Sequence, residues 1–238
     1  MTEALFRDDQ TLASCRARVT AVDERGVQLD RTVFYALGGG QPGDVGTLRR
    51  ADGLELAVVD TRADREDGAH LHVLEEGAAR DALAVGDELE AAIDWPRRHR
   101  IMRFHSALHM LCAAVDAPVT SGSIQVDRAR LDFDLEHPQD KAAIEAALNE
   151  LVARDAPMST RYITDAELDA NPGLVRTMSV QPPRNASGKI RLVEFAGIDL
   201  QPCGGTHVAS TAEIGPLAVA KIEKKGRQNR RIILRFDE

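Results

Sequence analysis

The chain has 238 residues and a formal net charge of −8, and 43% of its residues are hydrophobic. This composition supports a packed globular core and excludes a disordered chain. Three scattered cysteines, Cys15, Cys112 and Cys203, do not form a disulfide framework, so we expect a reducing compartment. The N-terminus lacks a signal-like apolar run and no stretch is long enough to span a bilayer, so we expect a cytoplasmic protein without membrane contact.

Residues 1–93 have the pattern of a small antiparallel β-barrel. Apolar and polar residues alternate through 15–21, and a charged turn ending at Gly26 leads into a second short apolar run, which predicts a β-hairpin. Further short runs follow at 32–35, 54–60, 70–74 and 88–94, separated by glycine-rich or charged turns. Closure of these strands into a barrel would leave no exposed sheet edge.

A run of glycines lies between these predicted strands. We name residues 38–44, with the sequence Gly-Gly-Gly-Gln-Pro-Gly-Asp, the glycine segment. Consecutive glycines let a backbone approach a ligand closely, although a flexible connection is the alternative interpretation. The candidate substrate-binding residues here are Gly38, Gly39, Gly40 and Gln41.

The pattern changes to helical spacing after Trp95-Pro96. Apolar residues from Ile101 to Val115 recur at intervals of three and four, which predicts a helix that begins near Asp94. A second helix is predicted from about residue 138 to 153, after an alternating stretch at 124–135. Strands are expected at 158–163, 190–195, 216–223 and 230–236, so residues 94–238 read as an α+β domain.

Two short clusters carry the residue types of a transition-metal site. His105 and His109 are four apart on the predicted helix and project from one face, whereas Cys203 and His207 flank Gly-Gly-Thr. Three imidazoles and one thiolate suit Zn²⁺. The helix pair taken alone is more typical of histidines satisfied by ordinary hydrogen bonds than of metal ligands, and the second cluster in the same chain is what favours a metal site. Ser106 follows His105 where a zinc protease of the zincin type requires Glu, so that class is excluded.

Basic residues are concentrated near the C-terminus. Seven of them lie between Lys221 and Arg235, and within that stretch only Glu223 opposes them. The stretch is either a phosphate-contacting strip or a solvated charged hairpin. The candidate contacts are Lys224, Lys225 and Arg227.

These motifs together closely resemble the editing domain of alanyl-tRNA synthetase. The resemblance rests on residues 105–109, on 120–124 followed by 130–134, and on Cys-Gly-Gly-Thr-His-Val at 203–208 with 214–215 and 221–226. Residues 34–44 resemble the glycine motif of the same family, with Ala36-Leu37 in place of the more usual Pro-Glu type pair. The resemblance to the editing domain covers nearly the whole chain, and 238 residues leave no room for aminoacylation modules. We therefore expect a freestanding editing protein of the AlaX type in its longer form.

The resemblance implies a barrel domain at residues 1–93 and, at 94–238, an α+β editing domain of the alanyl/threonyl-tRNA synthetase type. The implied reaction is hydrolysis of the ester that joins Ser or Gly to the acceptor end of the alanine tRNA, with no obligate protein partner. A hydroxyl near the metal that binds the serine side chain would reject alanine. The catalytic candidates are Thr120, Ser121, Ser123 and Thr206, with turn and strand roles as the alternative for the first three.

Two other functions stay open at this stage. A structural zinc site in a nucleic-acid-binding module would account for four protein ligands without catalysis, because hydrolytic zinc normally keeps one coordination position open. A metallohydrolase of small-molecule esters or amides would account for the metal and the glycine segment but not for the basic residues.

Overall fold

The computed structural model describes residues 2–64, 68–178, 182, 184, 185 and 187–238. The chain separates into two compact units. The first contains Met1–Gly38 and Pro42–Arg98, and the second contains Gly39–Gln41 and His99–Glu238. Among the described residues, no helix is both long enough and apolar enough to cross a membrane.

The described residues of the first unit form eight strands, which are β1 (Glu3–Ala4), β2 (Ser14–Asp23), β3 (Gly26–Leu29), β4 (Arg31–Thr32), β5 (Gly46–Arg50), β6 (Glu55–Ala63), β7 (His70–Leu74) and β8 (Glu88–Ile93). Six of them close an antiparallel barrel in the order β2-β3-β7-β6-β5-β8, and the two-residue strands β1 and β4 pair in parallel. The prediction of a small antiparallel barrel is confirmed. The sequence pattern missed β5, because glycine and three polar residues surround its single buried leucine, Leu48.

The barrel core follows from alternation along the strands. In β2, Ala17 and Val19 point inward and are buried, whereas Arg16 and Arg18 are exposed. Burial of one face of each strand supplies the hydrophobic free energy that closes the barrel. The buried members of this core are Ala17, Val19, Val27, Leu29, Val33, Phe34, Leu48, Leu56, Val58, Leu74, Leu83, Leu89, Ala91 and Ile93.

A buried ion pair in the first unit holds the end of the glycine segment. The guanidinium of Arg98 donates to the Asp44 carboxylate, with the Nε hydrogen bond at 2.9 Å, and also to the Val33 carbonyl at 2.7 Å. The backbone N–H of Tyr35 donates to the same carboxylate at 2.6 Å. Arg98 is 0% and Asp44 1% exposed. Removing one partner of such a pair leaves an uncompensated buried charge, so the pair fixes the local conformation.

The long helix α1 (Trp95–Ala114) begins where the sequence predicts. Its first turn is capped by Asp94, whose Oδ1 accepts the backbone N–H of Arg97 at 3.0 Å. From Ile101 to Cys112 every residue except Arg103 is buried. Helix α1 is therefore a rigid core helix for the side chains that it carries.

The second unit contains the strands β9 (Val119–Ile124), β10 (Ala129–Asp134), β11 (Met158–Ile163), β12 (Ile190–Phe195), β13 (Asp199–Pro202), β14 (Leu217–Lys224) and β15 (Asn229–Phe236), with helices α2 (Lys141–Ala153) and α3 (Asp165–Asp169). They form an antiparallel sheet in the order β14-β15-β10-β9 and a second one in the order β11-β12-β13. Helix α2 buries Ile144, Leu148 and Val152 and packs on β14. The α+β class is confirmed.

Two strands of this unit differ from the sequence pattern. The stretch at 124–135 is not one strand, because β9 and β10 pair as a hairpin around residues 125–128. The register of that hairpin shifts at Asp132 and Phe133, where Thr120 has no partner of its own in the pairing. The short β13 follows a turn at Gly197 and was not predicted.

Candidate metal centre

Four side chains of the second unit converge on one point. We name His105, His109, Cys203 and His207 the ligand cluster; their candidate donor atoms all lie within 4.8 Å of one another. The Cys203 Sγ is 3.4 Å from His105 Nε2 and 3.6 Å from His207 Nε2, and the Nε2 atoms of His207 and His109 are 3.0 Å apart. Helix α1 supplies two members and the loop after β13 supplies the other two. The structure thus brings together the four residues that the sequence selected.

The donor set of the ligand cluster fits a metal ion. Its three histidines are buried, with exposures of 8%, 4% and 1% for His105, His109 and His207. Several nitrogen and sulfur atoms that face one another in a buried space would be costly without a shared cation. Imidazole nitrogens and a thiolate are the donors that zinc and related transition ions prefer.

His109 is oriented from behind by a carboxylate. Its Nδ1 lies 2.7 Å from Asp199 Oδ2, and Gln201 Nε2 donates to the same oxygen at 2.8 Å. Burial favours the neutral ring, but the interactions with Asp199 and Cys203 outweigh it and raise the pKa of His109 to about 9. A carboxylate that accepts from Nδ1 leaves Nε2 directed at the cluster, where a bound metal ion would displace its proton, an arrangement typical of metal-binding histidines.

The electrostatics of the ligand cluster favour a thiolate. Burial acts to raise the pKa of the Cys203 thiol, but the neighbouring His105 and His207 hold it well below its usual range. Burial, together with His105, keeps the pKa of His207 well below its usual range. A thiolate and a neutral imidazole are the forms that bind metal ions.

The glycine segment reaches the ligand cluster through Gln41. Its side chain is 1% exposed and hydrogen-bonds both His105 and Thr206. The candidate catalytic residue Thr206 is itself fully buried, and its hydroxyl accepts from Gln41 Nε2 at 2.9 Å. The sequence pattern had indicated a substrate contact at Gln41; in the structure its amide faces protein groups.

The three consecutive glycines at the start of this segment differ in their surroundings. Gly39 and Gly40 have φ values of +57° and +84°, whereas Gly38 accepts a hydrogen bond from the Tyr35 hydroxyl at 2.9 Å. The carbonyl of Gly40 accepts from the backbone N–H of Ile124 in β9 at 2.9 Å. A Cβ at position 40 would lie 2.9 Å from the Gly122 carbonyl oxygen, whereas one at position 39 would meet nothing within 4 Å. The close backbone approach is therefore made by Gly40.

The other hydroxyl candidates lie on β9. The Thr120 hydroxyl donates to the Asp132 carbonyl at 3.1 Å and accepts from Asn229 Nδ2 at 3.0 Å. Its place at the irregularity in the β9–β10 register is a position where strands often redirect a side chain. Ser121 and Ser123 pair with β10 and are partly exposed. Within the described part of the chain, no hydrogen bond joins these three side chains to the ligand cluster.

The basic residues form the hairpin of β14 and β15, which we name the basic hairpin. Lys221 and Lys225 both pair with Glu223, at 2.8 and 2.9 Å. Acidic residues from outside the stretch also approach it, because Arg231 pairs with Asp132 at 2.8 Å and Arg227 lies 3.7 Å from Glu136. Lys224, Lys225 and Arg227 lie at the exposed end of the hairpin.

Sequence reasoning missed the residues that support the ligands. Asp199 and Gln201 precede Cys203 at intervals of two, so the three residues share one face of an extended chain. Two polar residues in register with a candidate ligand are a usable signal only where the chain is predicted to be extended, and the four-residue β13 gives no such prediction.

Family profiles match both parts of the chain. The profile described as "Threonyl and Alanyl tRNA synthetase second additional domain" matches residues 190–233, which contain two of the four candidate ligands. The profile described as "tRNA synthetases class II (A)" matches residues 3–97. The two matches relate both parts of the chain to domains of the class II tRNA synthetases.

Full-length relatives define the family more closely. The chain is 35% identical to the alanyl-tRNA editing protein AlaX-M of Methanosarcina barkeri and 32% identical to that of Saccharolobus solfataricus, over 98% of both chains in each case. It is 33% identical to an alanine--tRNA ligase of Pyrobaculum calidifontis, where the match covers 94% of this chain and 25% of the ligase. The chain belongs to the alanyl-tRNA editing protein AlaX-M family.

Proposed function

We propose that the protein is a zinc-dependent deacylase that hydrolyses mischarged alanine tRNA in trans, with the seryl ester, and also the glycyl ester, as substrates. The observation that carries the proposal is the convergence of the ligand cluster within 4.8 Å, in a chain that matches the AlaX-M proteins over their length. An alanine-sized synthetic pocket discriminates poorly against Gly and Ser, so a second hydrolytic site improves accuracy.

The ligand cluster would hold the Zn²⁺. When bound, zinc supplies a Lewis acid next to the ester or its amino acid. Asp199 and Gln41 then hold the rings of His109 and His105 in the orientation that binding requires. Thr120, Ser121 and Ser123 stay the candidates for contact with the serine hydroxyl, and Thr206 stays a catalytic candidate.

The proposed partner is the acceptor end of the alanine tRNA. Gly38, Gly39 and Gly40 offer exposed or partly exposed backbone to a substrate, and the end of the basic hairpin offers cations to phosphates. Because charged tRNA is used in the cytoplasm, we place the protein there. We also propose residues 1–93 and 94–238 as its two domains.

The test is deacylation of Ser-, Gly- and Ala-tRNA, all on the alanine tRNA, by the purified protein with zinc and after chelation. We expect hydrolysis of the seryl and glycyl esters, sparing of the alanyl ester, and loss of activity on chelation. His109→Ala and Cys203→Ala should lose both zinc and activity, whereas Gln139→Leu, at a partly exposed position outside the cluster, should keep both.

Two results would contradict the proposal. Zinc binding without hydrolysis of any of the three esters would favour a structural zinc site. Unchanged hydrolysis after complete removal of the metal would exclude a zinc-dependent reaction.

A further inference from the structure

Only one orientation of the Gln41 side-chain amide matches the hydrogen-bond donors and acceptors around it. A backbone N–H can only donate, and that of Thr206 lies 3.0 Å from the side-chain oxygen Oε1. The amide nitrogen Nε2 lies 2.9 Å from the Thr206 hydroxyl oxygen. The two amide atoms are therefore distinguished by their partners, and the oxygen is the atom that faces the ligand cluster.

This orientation fixes the tautomer of His105. Gln41 Oε1 also lies 2.9 Å from His105 Nδ1, and an amide oxygen can only accept. The proton of the neutral ring must then be on Nδ1, which leaves the lone pair on Nε2. That atom faces Cys203 Sγ at 3.4 Å, inside the ligand cluster.

The same amide also supports the loop that carries the other two ligands. Thr206 lies next to His207. The side chain of Gln41 accepts a hydrogen bond from the backbone N–H of Thr206 and donates one to the Thr206 hydroxyl. The loop packs tightly at this point, because a Cβ on Gly205 would overlap the His105 ring and lie 2.7 Å from Gln41 Oε1. One side chain thus contacts both sequence segments that form the ligand cluster.

Burial makes the amide hard to replace. Gln41 is 1%, Thr206 0% and His105 8% exposed. Without the amide oxygen, two buried N–H donors would lose their acceptor, and water has little access to substitute. A ring freed from that constraint can also rotate or change tautomer, which removes the lone pair from the cluster.

We propose that Gln41 is a positioning residue that orders His105 and the Cys203–His207 loop for metal binding. The inference rests on the proposed zinc site but not on the identity of the substrate. It assigns the last residue of the Gly-Gly-Gly-Gln motif to the assembly of the metal centre, and it leaves substrate contact to the preceding glycines.

The test compares Gln41→Leu, which removes the acceptor, with Gln41→Glu, which keeps one. Zinc affinity is measured by competition with a chromophoric chelator, and the ligand geometry is followed through the absorption bands of the Co²⁺-substituted protein. Gln41→Leu should weaken zinc binding by about 10- to 100-fold and change the Co²⁺ bands. Gln41→Glu should restore affinity to within a few-fold of wild type, because a carboxylate accepts from both N–H donors. Gln139→Leu is the matched control and should leave both readouts unchanged.

Several outcomes would overturn the inference. One is a folded Gln41→Leu protein that binds zinc with wild-type affinity. Another is a Gln41→Glu protein that binds zinc as weakly as Gln41→Leu does, since the lost affinity would then come from altered packing. If Gln41→Leu does not fold, ¹⁵N NMR of zinc-loaded wild-type protein decides, because an unprotonated His105 Nδ1 contradicts the proposal. A wild-type protein that binds zinc but hydrolyses no ester refutes the deacylase proposal alone, whereas one that binds no zinc refutes both.

Discussion

At the scale of single residues, the structure assigns definite hydrogen-bonding roles to buried polar groups. Gln41 and Asp199 each accept from the Nδ1 of one helix histidine, so both rings present Nε2 to the ligand cluster. In the first unit, both ring nitrogens of His72 also have defined hydrogen-bond partners. Both cases lead to predictions that single substitutions can test.

A methyl group at position 205 should disturb the metal centre. In Gly205→Ala the added Cβ would overlap the His105 ring and lie 2.7 Å from Gln41 Oε1, so one of the two must move. We expect zinc affinity to fall at least tenfold, as measured by chelator competition, because ligand orientation is disturbed. Gly173→Ala is the control, since its Cβ would meet nothing within 4 Å. Equal zinc affinity in the two variants would contradict the prediction.

His72 in the barrel is held as a neutral ring. Its Nδ1 lies 2.9 Å from the Val27 carbonyl and must donate, whereas its Nε2 accepts from the Thr32 hydroxyl at 2.8 Å. The same hydroxyl oxygen accepts the backbone N–H of Phe34 at 3.0 Å. Burial lowers the pKa of His72 to about 4, although the hydrogen bond to Val27 acts in the opposite direction.

The depressed pKa of His72 predicts acid destabilisation. The folded-state pKa of about 4 lies below the ordinary value of 6.5, so the unfolded chain binds more protons between these pH values. The stabilisation is therefore complete above about pH 6.5 and declines as the pH falls toward 4. Across that window the wild type should lose on the order of 3 kcal/mol of unfolding free energy more than His72→Gln.

Denaturant titrations of both proteins at several pH values measure this difference. Burial, and next the neighbouring His72, also lower the pKa of His70 to about 4, so the comparison reports His72 together with its effect on His70. Parallel stability curves for the two proteins across the window would refute the prediction.

At the scale of elements, the glycine segment and β9 determine each other's placement. The Gly40 carbonyl pairs with Ile124, and no side chain fits between Gly40 and Gly122. The residue after Gly40 is the one that contacts His105. A displacement of the glycine segment from β9 should therefore move Gln41 and change the geometry of the metal centre.

Substitution of Gly40 tests this connection. Gly40→Ala introduces a Cβ 2.9 Å from the Gly122 oxygen at a φ of +84°, so we expect weaker zinc binding and slower deacylation. Gly77→Ala is the matched control, because its φ of +79° is similar but its Cβ would meet nothing within 4 Å. Zinc competition and deacylation rates are measured for both. If Gly40→Ala matched Gly77→Ala in both assays, the segment would not constrain the site.

At the scale of the whole molecule, charge is unevenly distributed. The chain carries a net charge of −8, yet the end of the basic hairpin exposes Lys224, Lys225 and Arg227. Ion pairs with Glu223 and Glu136 reduce the local positive charge below what the sequence alone indicates. Phosphate binding at this place would be local attraction against an overall repulsive background.

Charge reversal at the hairpin end should weaken tRNA binding. We expect the Lys224→Glu, Lys225→Glu, Arg227→Glu triple variant to bind tRNA less tightly and with a shallower dependence on salt, by about one counterion for each phosphate that the variant no longer neutralises. Zinc content and melting temperature should be unchanged. The Arg7→Glu, Lys141→Glu, Arg154→Glu triple variant, with the same change in net charge at three exposed positions outside the hairpin, controls for charge alone. Equal tRNA affinity of the triple variant and the control at several salt concentrations would show that the hairpin is only solvated.

The sequence alone determined the features that depend on local pattern. Alternation predicted the barrel, helical spacing predicted α1 and α2, and residue type with short spacing selected all four members of the ligand cluster. Each of these patterns is formed by residues that lie close together in the sequence, so periodicity and residue type are enough to detect it. Strands β5 and β13 were not predicted, because apolar and polar residues alternate only weakly in their short sequences.

Only the tertiary structure decided which distant groups meet. Gln41 lies 64 residues from His105 and 165 from Thr206, and Asp199 lies 90 residues from His109. The acidic partners of the basic hairpin also come from outside it, with Asp132 on β10. Local spacing places Asp199 and Cys203 on one face of the chain, but no local pattern encodes which histidine Asp199 meets, because that contact arises from how strands and helices pack. The ligands could therefore be predicted from the sequence, whereas the pairing of each ligand with the group that orients it was decided by the tertiary structure.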